Sequence, residues 1–410
     1  MTDMIRLTRR VFLALALVLA VAAPASAADR PPLILVSIDG FRADYILRGE
    51  TPTLAALAAE GAWAREGMRP SFPANTFPNH YTLVTGLRPD RHGITDNTLF
   101  DAARPGVKFS MGARDQVADR FWWDGSEPLW VTAERAGVRA GVMFWPGSEA
   151  AVRGVRPTYW KPFDQQLPSA ARVDQLLAWL DGPPAARPGF MTLYFDTVDT
   201  QGHRVGPDSP DMASALKDVD DALARLVAGL KARGLFDAVN LVVVADHGMA
   251  QTSPDRVAFL DEAAAPDRFE IVTLGWTTGL IPRDAEAERA LVGKHPHFEC
   301  WRKGELPARF RYGTHPRIPP VVCLAETGWI LTTRARFAER PARSAGGSHG
   351  ADPQDPAMRA LFLARGPSIR PGVLLPVFDN VSVYPLLAGL LGLEPAPNDG
   401  DPADTAAALR

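Results

Sequence analysis

Six side chains suited to binding divalent cations stand in four short segments of the 410-residue chain: Asp39 in VSIDG, Asp199 and His203 in DTQGH, Asp246 and His247 in ADHG, and His349 in GSHG. Carboxylate oxygens and imidazole nitrogens with no thiolate beside them suit Zn2+ or another divalent transition ion rather than a cysteine-rich structural zinc. Six such donors exceed what one tetrahedral ion takes. They fit two ions, each with three protein ligands and an open position, an arrangement that holds an attacking and a leaving oxygen. Read singly, each has an ordinary alternative: Asp39 as a turn cap, His203 and His349 as surface histidines. His80, His92, His295, His297 and His315 lack comparable neighbours and read as structural or surface residues.

The nucleophile such a centre needs is offered by SFPANTFPNHYTLVTG, residues 71–86. Pro73 keeps the approach out of helix, Pro78 fits a first helical turn, and Gly86 ends the helix. This places Thr76 at the N-cap, where unpaired backbone N–H groups favour an anion such as phosphate. Simple capping is the alternative, since threonine is a preferred N-cap residue. No base stands beside Thr76 in sequence, so a metal would have to activate its hydroxyl.

These residues need elements to bring them together. LILVSIDG (33–40), VRAGVMFW (138–145), FMTLYF (190–195) and LVVVA (241–245) are short apolar runs of the kind that form buried parallel strands. Helical patterns alternate with them, clearest after Pro210, where Leu216, Val219, Leu223, Leu226, Val227 and Leu230 recur at 3.6-residue spacing up to Gly234. The alternation predicts an α/β fold with a three-layer, mostly parallel sheet and helices on both faces. In such a fold the site lies beyond the carboxyl ends of the strands, where Asp39, Asp199 and Asp246 fall. Residues 250–344 are less regular, with strand-like FEIVTL and helical AEAERALVG, and read as a smaller inserted cap in a catalytic domain of residues 29–410. Residues 181–189 and 394–410 read as linker-like.

The first 28 residues read as an export signal: a basic start, an apolar run from Val11 to Ala23 and an ASA cleavage site, with cleavage after Ala27 or Ala28. The apolar run is shorter than the roughly 20 residues of a membrane span, so no anchor is expected after cleavage. TRRVFL within it resembles a twin-arginine signal. A net charge of −3 and 46% hydrophobic residues suit a packed core and give no basic face for nucleic acid or anionic membrane. Cys300 and Cys323 are the only cysteines; an oxidising compartment would let them pair, and two buried thiols are the alternative.

Taken in order, VSIDGFRADY, SFPANTFPNHYTLVTGLRPDRHGI, FWPGSE, DTQGHRVGP, VVVADHGM and GSHG resemble the nucleotide pyrophosphatase/phosphodiesterase family of the alkaline phosphatase superfamily, as a bacterial periplasmic member, from about Leu33 to His349. The resemblance implies two Zn2+ per chain, one held by Asp199, His203 and His349, the other by Asp39, Asp246, His247 and the Thr76 oxygen. It implies in-line attack by Thr76 on phosphorus and a phospho-threonine intermediate that water hydrolyses. Asn97, in TDNTLFD, matches the family asparagine that donates to a non-bridging phosphate oxygen, with a backbone N–H near Thr76 completing the oxyanion hole. Phe77 would form one wall for a nucleotide base, and Tyr159 or Trp160 the other. The expected substrates are small-molecule nucleotides, cleaved to nucleoside 5′-monophosphates.

Other activities are weighed by what the residues lack. A monoesterase needs extra cationic groups, and MFWPGSEA carries no Lys or Arg; a sulfatase needs a C/S-x-P-x-R frame, which Pro73 and Pro78 do not provide. A diesterase for lysophospholipid headgroups would build its lipid pocket from the irregular insert, and is the alternative enzyme. A binding protein that had lost its chemistry would show a damaged nucleophile or ligand, whereas Thr76, Asn97 and all six donors are in place.

Overall fold

A computed structural model describes residues 30–339 and 345–410. The export signal inferred for residues 1–28 lies outside them.

Eight strands form the central sheet: β1 (Leu33–Ile38), β2 (Ala62–Ala64), β3 (Ala140–Met143), β4 (Tyr159–Lys161), β5 (Phe190–Phe195), β6 (Asn240–Val244), β7 (Phe362–Arg365) and β8 (Val373–Leu375), in the order β8-β2-β7-β6-β1-β5-β3-β4. Only β7 runs against its neighbours; the other pairs are parallel. Every residue of β1, β5 and β6 is buried. Their near-continuous apolar runs follow from this, because a strand covered on both faces has no solvent side; the exceptions Ser37, Thr192 and Asn240 are buried as well.

Two groups of helices cover the sheet. One comprises α1 (Pro52–Glu60), α3 (Ser169–Leu180) and α5 (Ala213–Ala232), the other α2 (Thr76–Thr85) and α6 (Val383–Leu391), while α4 (Thr197–Val205) follows β5 directly. In α5 the buried Leu216, Val219, Leu223, Leu226 and Leu230 form the stripe that the sequence spacing predicts. Gly86, at φ 66°, ends α2 as a left-handed cap.

Within residues 250–339 the chain leaves and returns at one place. Ala250–Thr252 pairs with Gly346–Ser348, and beyond that pair a five-stranded antiparallel sheet forms in the order 269–273, 277–282, 321–325, 298–302, 293–295. It carries its own core, including Phe269, Trp276, Leu280 and Phe298. Cys300 and Cys323, facing each other on adjacent strands, are disulfide-bonded. The tail read as linker-like is instead packed: Asp399 N–H donates to Gly86 C=O at 2.8 Å, and Ala408 is fully buried.

Candidate active site

Three adjacent strands end at one place. Asp39 follows β1 directly, Asp246 and His247 follow β6, and Asp199 sits in the first turn of α4 after β5. His203 is one turn further along α4, on the face of Asp199. Gly40 makes the crowding possible: its φ is 66°, and a Cβ there would lie 3.0 Å from atoms of Asp199. The central sheet does not supply His349, which follows the Gly346–Ser348 strand and meets the others through the tertiary fold.

The six donors converge. His203 Nε2 is 3.4 Å and His349 Nε2 3.7 Å from Asp199 oxygens, and His247 Nε2 lies 3.0 Å from Asp246 and 3.6 Å from Asp39. The His247 and His349 rings stack at 3.7 Å. Each of the three histidines has Nδ1 2.9 Å from a backbone carbonyl, His203 with Gly347, His247 with Gly248 and His349 with Ala74. Donation of Nδ1–H to these carbonyls fixes the tautomer and leaves each Nε2 lone pair turned inward, as in metal-ligating histidines.

The electrostatics call for cations. Asp39 Oδ1, Asp199 Oδ1 and Asp246 Oδ2 are buried with no hydrogen-bond partner, a costly state for a carboxylate. Burial, reinforced by the charges of Asp246 and Asp199, pushes the Asp39 carboxyl well above its usual range. Burial also pushes Asp246 up, but the nearby His247 and His80 outweigh it and hold that carboxyl well below the usual range. His349 is driven well down, by burial first and then by His247 and His203. Among the described residues three three-donor groups of suitable size result, Asp199 with His203 and His349, Asp39 with Asp199 and His247, and Asp39 with His80 and Asp246; the expected trio of Asp39, Asp246 and His247 is not one of them. The orphaned oxygens and inward Nε2 atoms fit divalent ions.

Thr76 is buried to 7% exposure, and its Oγ lies 3.4 Å from His247 Nε2. It is the first residue of α2; the N-cap is Asn75, a correction by one position. Its hydroxyl therefore does not fold back to cap the helix and is turned to the cluster. Asn79 holds the loop that delivers it, accepting from Ser71 N–H at 2.7 Å and donating to the Pro73 and Asn75 carbonyls at 2.9 Å each.

Asn97 lies beside Thr76, but the oxyanion-hole expectation needs a second correction. The Phe77 N–H donates to Asn97 Oδ1 at 2.8 Å, so it orients Asn97 and leaves the Asn97 amide N–H groups as donors. The neighbouring cavity, about 380 Å3, is lined by Asp39, Thr76 and Asp199 and walled by Phe77, Phe144, Trp145, Phe163 and Tyr194. Neither Tyr159 nor Trp160 lines it. Tyr159 donates its hydroxyl to Ala186 C=O at 2.8 Å and stacks on Trp179, and Trp160 lies under Arg156. The aromatic side chain from that part of the chain that does line the cavity is Phe163.

Sequence reasoning missed two residues. Tyr194 donates to Asp39 Oδ2 at 2.6 Å, and burial together with Asp39 keeps its phenol protonated far above the usual range. No sequence signal marks a tyrosine inside an apolar strand. His80, set aside above, is fully buried with Nδ1 3.3 Å from Asp246 Oδ2; its signal was its place one helical turn after Thr76.

Comparison with known proteins shows the family and the fold. Residues 33–352 match the family described as type I phosphodiesterase / nucleotide pyrophosphatase. Mouse ectonucleotide pyrophosphatase/phosphodiesterase family member 3 is 38% identical over 385 residues, covering 91% of this chain and 43% of its own length. An uncharacterized pyrophosphatase/phosphodiesterase of Schizosaccharomyces pombe is 38% identical over 381 residues, 90% of this chain and 78% of its own. The chain thus spans less than half the length of the mouse protein. The structure of murine ectonucleotide pyrophosphatase/phosphodiesterase 5 superposes with a TM-score of 0.87 at 32% identity, covering 92% of this chain and 100% of that one. An inactive variant of that murine protein was solved in complex with AMP. By its sequence, its fold and the ends of its strands, the chain belongs to the type I phosphodiesterase / nucleotide pyrophosphatase family.

Proposed function

We propose that this protein is a two-zinc phosphodiesterase that cleaves nucleotide phosphodiester or phosphoanhydride bonds and releases nucleoside 5′-monophosphates through a phospho-threonine intermediate. The observation that carries this reading is the Thr76 hydroxyl, at the first turn of a helix, facing a buried carboxylate–imidazole cluster beside an aromatic cavity. Asp199, His203 and His349 would hold one ion, and Asp39, Asp246 and His247 the other. Such ions supply charge neutralisation at phosphoryl oxygens and lower the pKa of bound hydroxyls.

The chain's own residues do the rest. Thr76 gives up its hydroxyl proton to water and attacks phosphorus through Oγ, the bond to the leaving oxygen breaks with its electron pair, that oxygen takes a proton from water, and the helix N-terminus favours the phosphoryl charge. Asn97, held by the Phe77 N–H, turns its amide donors to a non-bridging oxygen. Water then attacks phosphorus and the Thr76 ester bond breaks. Phe77 and Phe163 offer faces for the base, a tolerant mode of recognition. Among the described residues Arg114 is the one cationic side chain lining the cavity, and it lies 3.5 Å from Glu149. That pairing leaves little positive charge for the second negative charge of a monoester and supports the diester.

The same reading takes residues 1–28 as the signal of an exported, periplasmic protein and residues 250–344 as a cap in one catalytic domain of residues 29–410. Among the described residues no helix is long and apolar enough to cross a membrane.

The test is kcat/KM of the zinc-loaded protein on the p-nitrophenyl ester of thymidine monophosphate against p-nitrophenyl phosphate. A strong diester preference that vanishes on chelation and returns with zinc is expected. Monoester preference, or full activity after metal removal, would overturn the reading.

A further inference from the structure

The mechanism above leaves His80 without a role, although it is fully buried one helical turn below Thr76. Its Nδ1 lies 2.9 Å from the Thr76 carbonyl oxygen and 3.3 Å from Asp246 Oδ2, and its Nε2 is 2.8 Å from Ser37 Oγ. The Thr76 carbonyl oxygen is an acceptor only, so Nδ1 donates its hydrogen there, while Asp246 Oδ2 faces the ring at 3.3 Å without hydrogen-bonding to it. An unprotonated Nδ1 would set three lone-pair atoms against one another in a buried site. That hydrogen also keeps Nδ1 from ligating a cation, although Asp39, His80 and Asp246 are near enough to form a three-donor group.

The ring has little freedom. The Ser37 hydroxyl makes no other side-chain hydrogen bond among the described residues, and Trp145 and Tyr194 meet the imidazole edge-on, each at 5.1 Å and 78°. Trp145 also donates its indole N–H to the His80 carbonyl at 3.0 Å. Asp246 is gripped from its other oxygen by Gly40 N–H at 3.1 Å. The two ring nitrogens therefore join the Thr76 turn of α2 to Ser37 on β1, two elements far apart in the chain, with the Asp246 carboxylate against the ring.

We infer that His80 is a positioning residue: its Nδ1–H holds the backbone carbonyl of Thr76 and its Nε2 holds Ser37 on β1, so the ring ties the Thr76 turn to the strand that ends in Asp39 and packs against the Asp246 carboxylate. The inference takes the identity of the nucleophile from the function proposed above. Its content is geometric, that one residue sets the distance between the attacking oxygen and the carboxylate-bearing wall of the site.

The experiment compares His80→Phe, His80→Asn and Ser37→Ala with the wild type, each loaded with zinc, for kcat, KM and zinc affinity by chelator competition. Loss of a partner that orients a donor side chain typically costs about 10–100-fold. His80→Phe is expected to lose that much in kcat, with KM within about twofold. His80→Asn, whose amide supplies an N–H near the Nδ1 position, should recover most of it, and Ser37→Ala should fall between. Three folded variants with wild-type kcat would overturn the inference. So would loss of one bound zinc per chain in both His80 variants, which would make His80 a ligand. Should His80→Phe fail to fold, Ser37→Ala decides: a drop in kcat at constant KM supports the inference, and none overturns it. If the wild type turns over no diester, the functional reading fails separately. The positioning role is then read from zinc affinity alone, lowered in His80→Phe and restored in His80→Asn.

Discussion

The centre of the parallel sheet and the antiparallel sheet of residues 269–325 are built on opposite principles. In β6, β1 and β5 every side chain is buried, and the carboxylates Asp246, Asp39 and Asp199 appear only where the strands stop. In the antiparallel sheet burial varies along a strand, as in Phe298–Arg302, where buried Phe298 and Cys300 flank a half-buried Glu299. No candidate site residue lies on that second sheet. It reaches the site through a strand end and a connecting loop, where Thr277 Oγ donates to the Gly350 carbonyl at 2.7 Å beside His349 and Tyr312 donates to the Thr95 carbonyl at 3.0 Å near Asn97. The candidate site sits where buried parallel strands release the chain, and residues of the 269–325 region brace the loops beside it.

The sharpest way to break this contrast is at the nucleophile. Thr76→Ala should lower kcat by at least about 10³-fold, as loss of a covalent nucleophile does elsewhere, while bound zinc and thermal stability stay at wild-type levels. Substantial residual turnover would place the attacking group outside the α2 turn. A smaller effect separates the aromatic candidates. Base stacking on an aromatic is worth about 1–3 kcal/mol, so Phe163→Ala should lower kcat/KM on nucleotide diesters by roughly 5–100-fold, and Trp160→Ala by less than twofold. The reverse ranking would put the base on the β4 side. The smallest catalytic effect is expected in the insert. Replacing Cys300 and Cys323 together by Ala should cost about 2–4 kcal/mol in chemical denaturation yet leave kcat/KM within twofold. A tenfold loss of activity would mean that the second sheet holds the site more tightly than its contacts imply.

Much of the site was legible because its signals are local. A strand covered on both faces reads as a mostly apolar run, and the carboxylates just beyond such runs mark their carboxyl ends, which places Asp39 and Asp246 just after β1 and β6 and Asp199 four residues after β5 without coordinates. Helical spacing puts Asp199 and His203 on one face, and the prolines around Thr76 bound its helix. Local signals fail where a side chain's direction depends on a neighbour distant in sequence. Tyr159 pairs with Gly141 across β4 and β3, and a Cβ on Gly141 would meet Trp179, so Tyr159 faces the α3 layer and stacks there, away from the cavity. The linker-like tail gave no hint that it packs against the end of α2.

Residue types and spacing alone thus determined the donor set, the nucleophile candidate, the class of fold and the order of its parallel strands' chemistry, because each follows from burial and period within a few residues. Only the tertiary structure decided that His349 joins Asp199, that the Phe77 N–H is spent on Asn97, that Phe163 stands in the cavity wall, and that His80 and Tyr194 buttress the carboxylates. Each of those contacts joins segments whose separation the chain sets but whose meeting depends on the register of the strands and on how α2 and the insert pack around them.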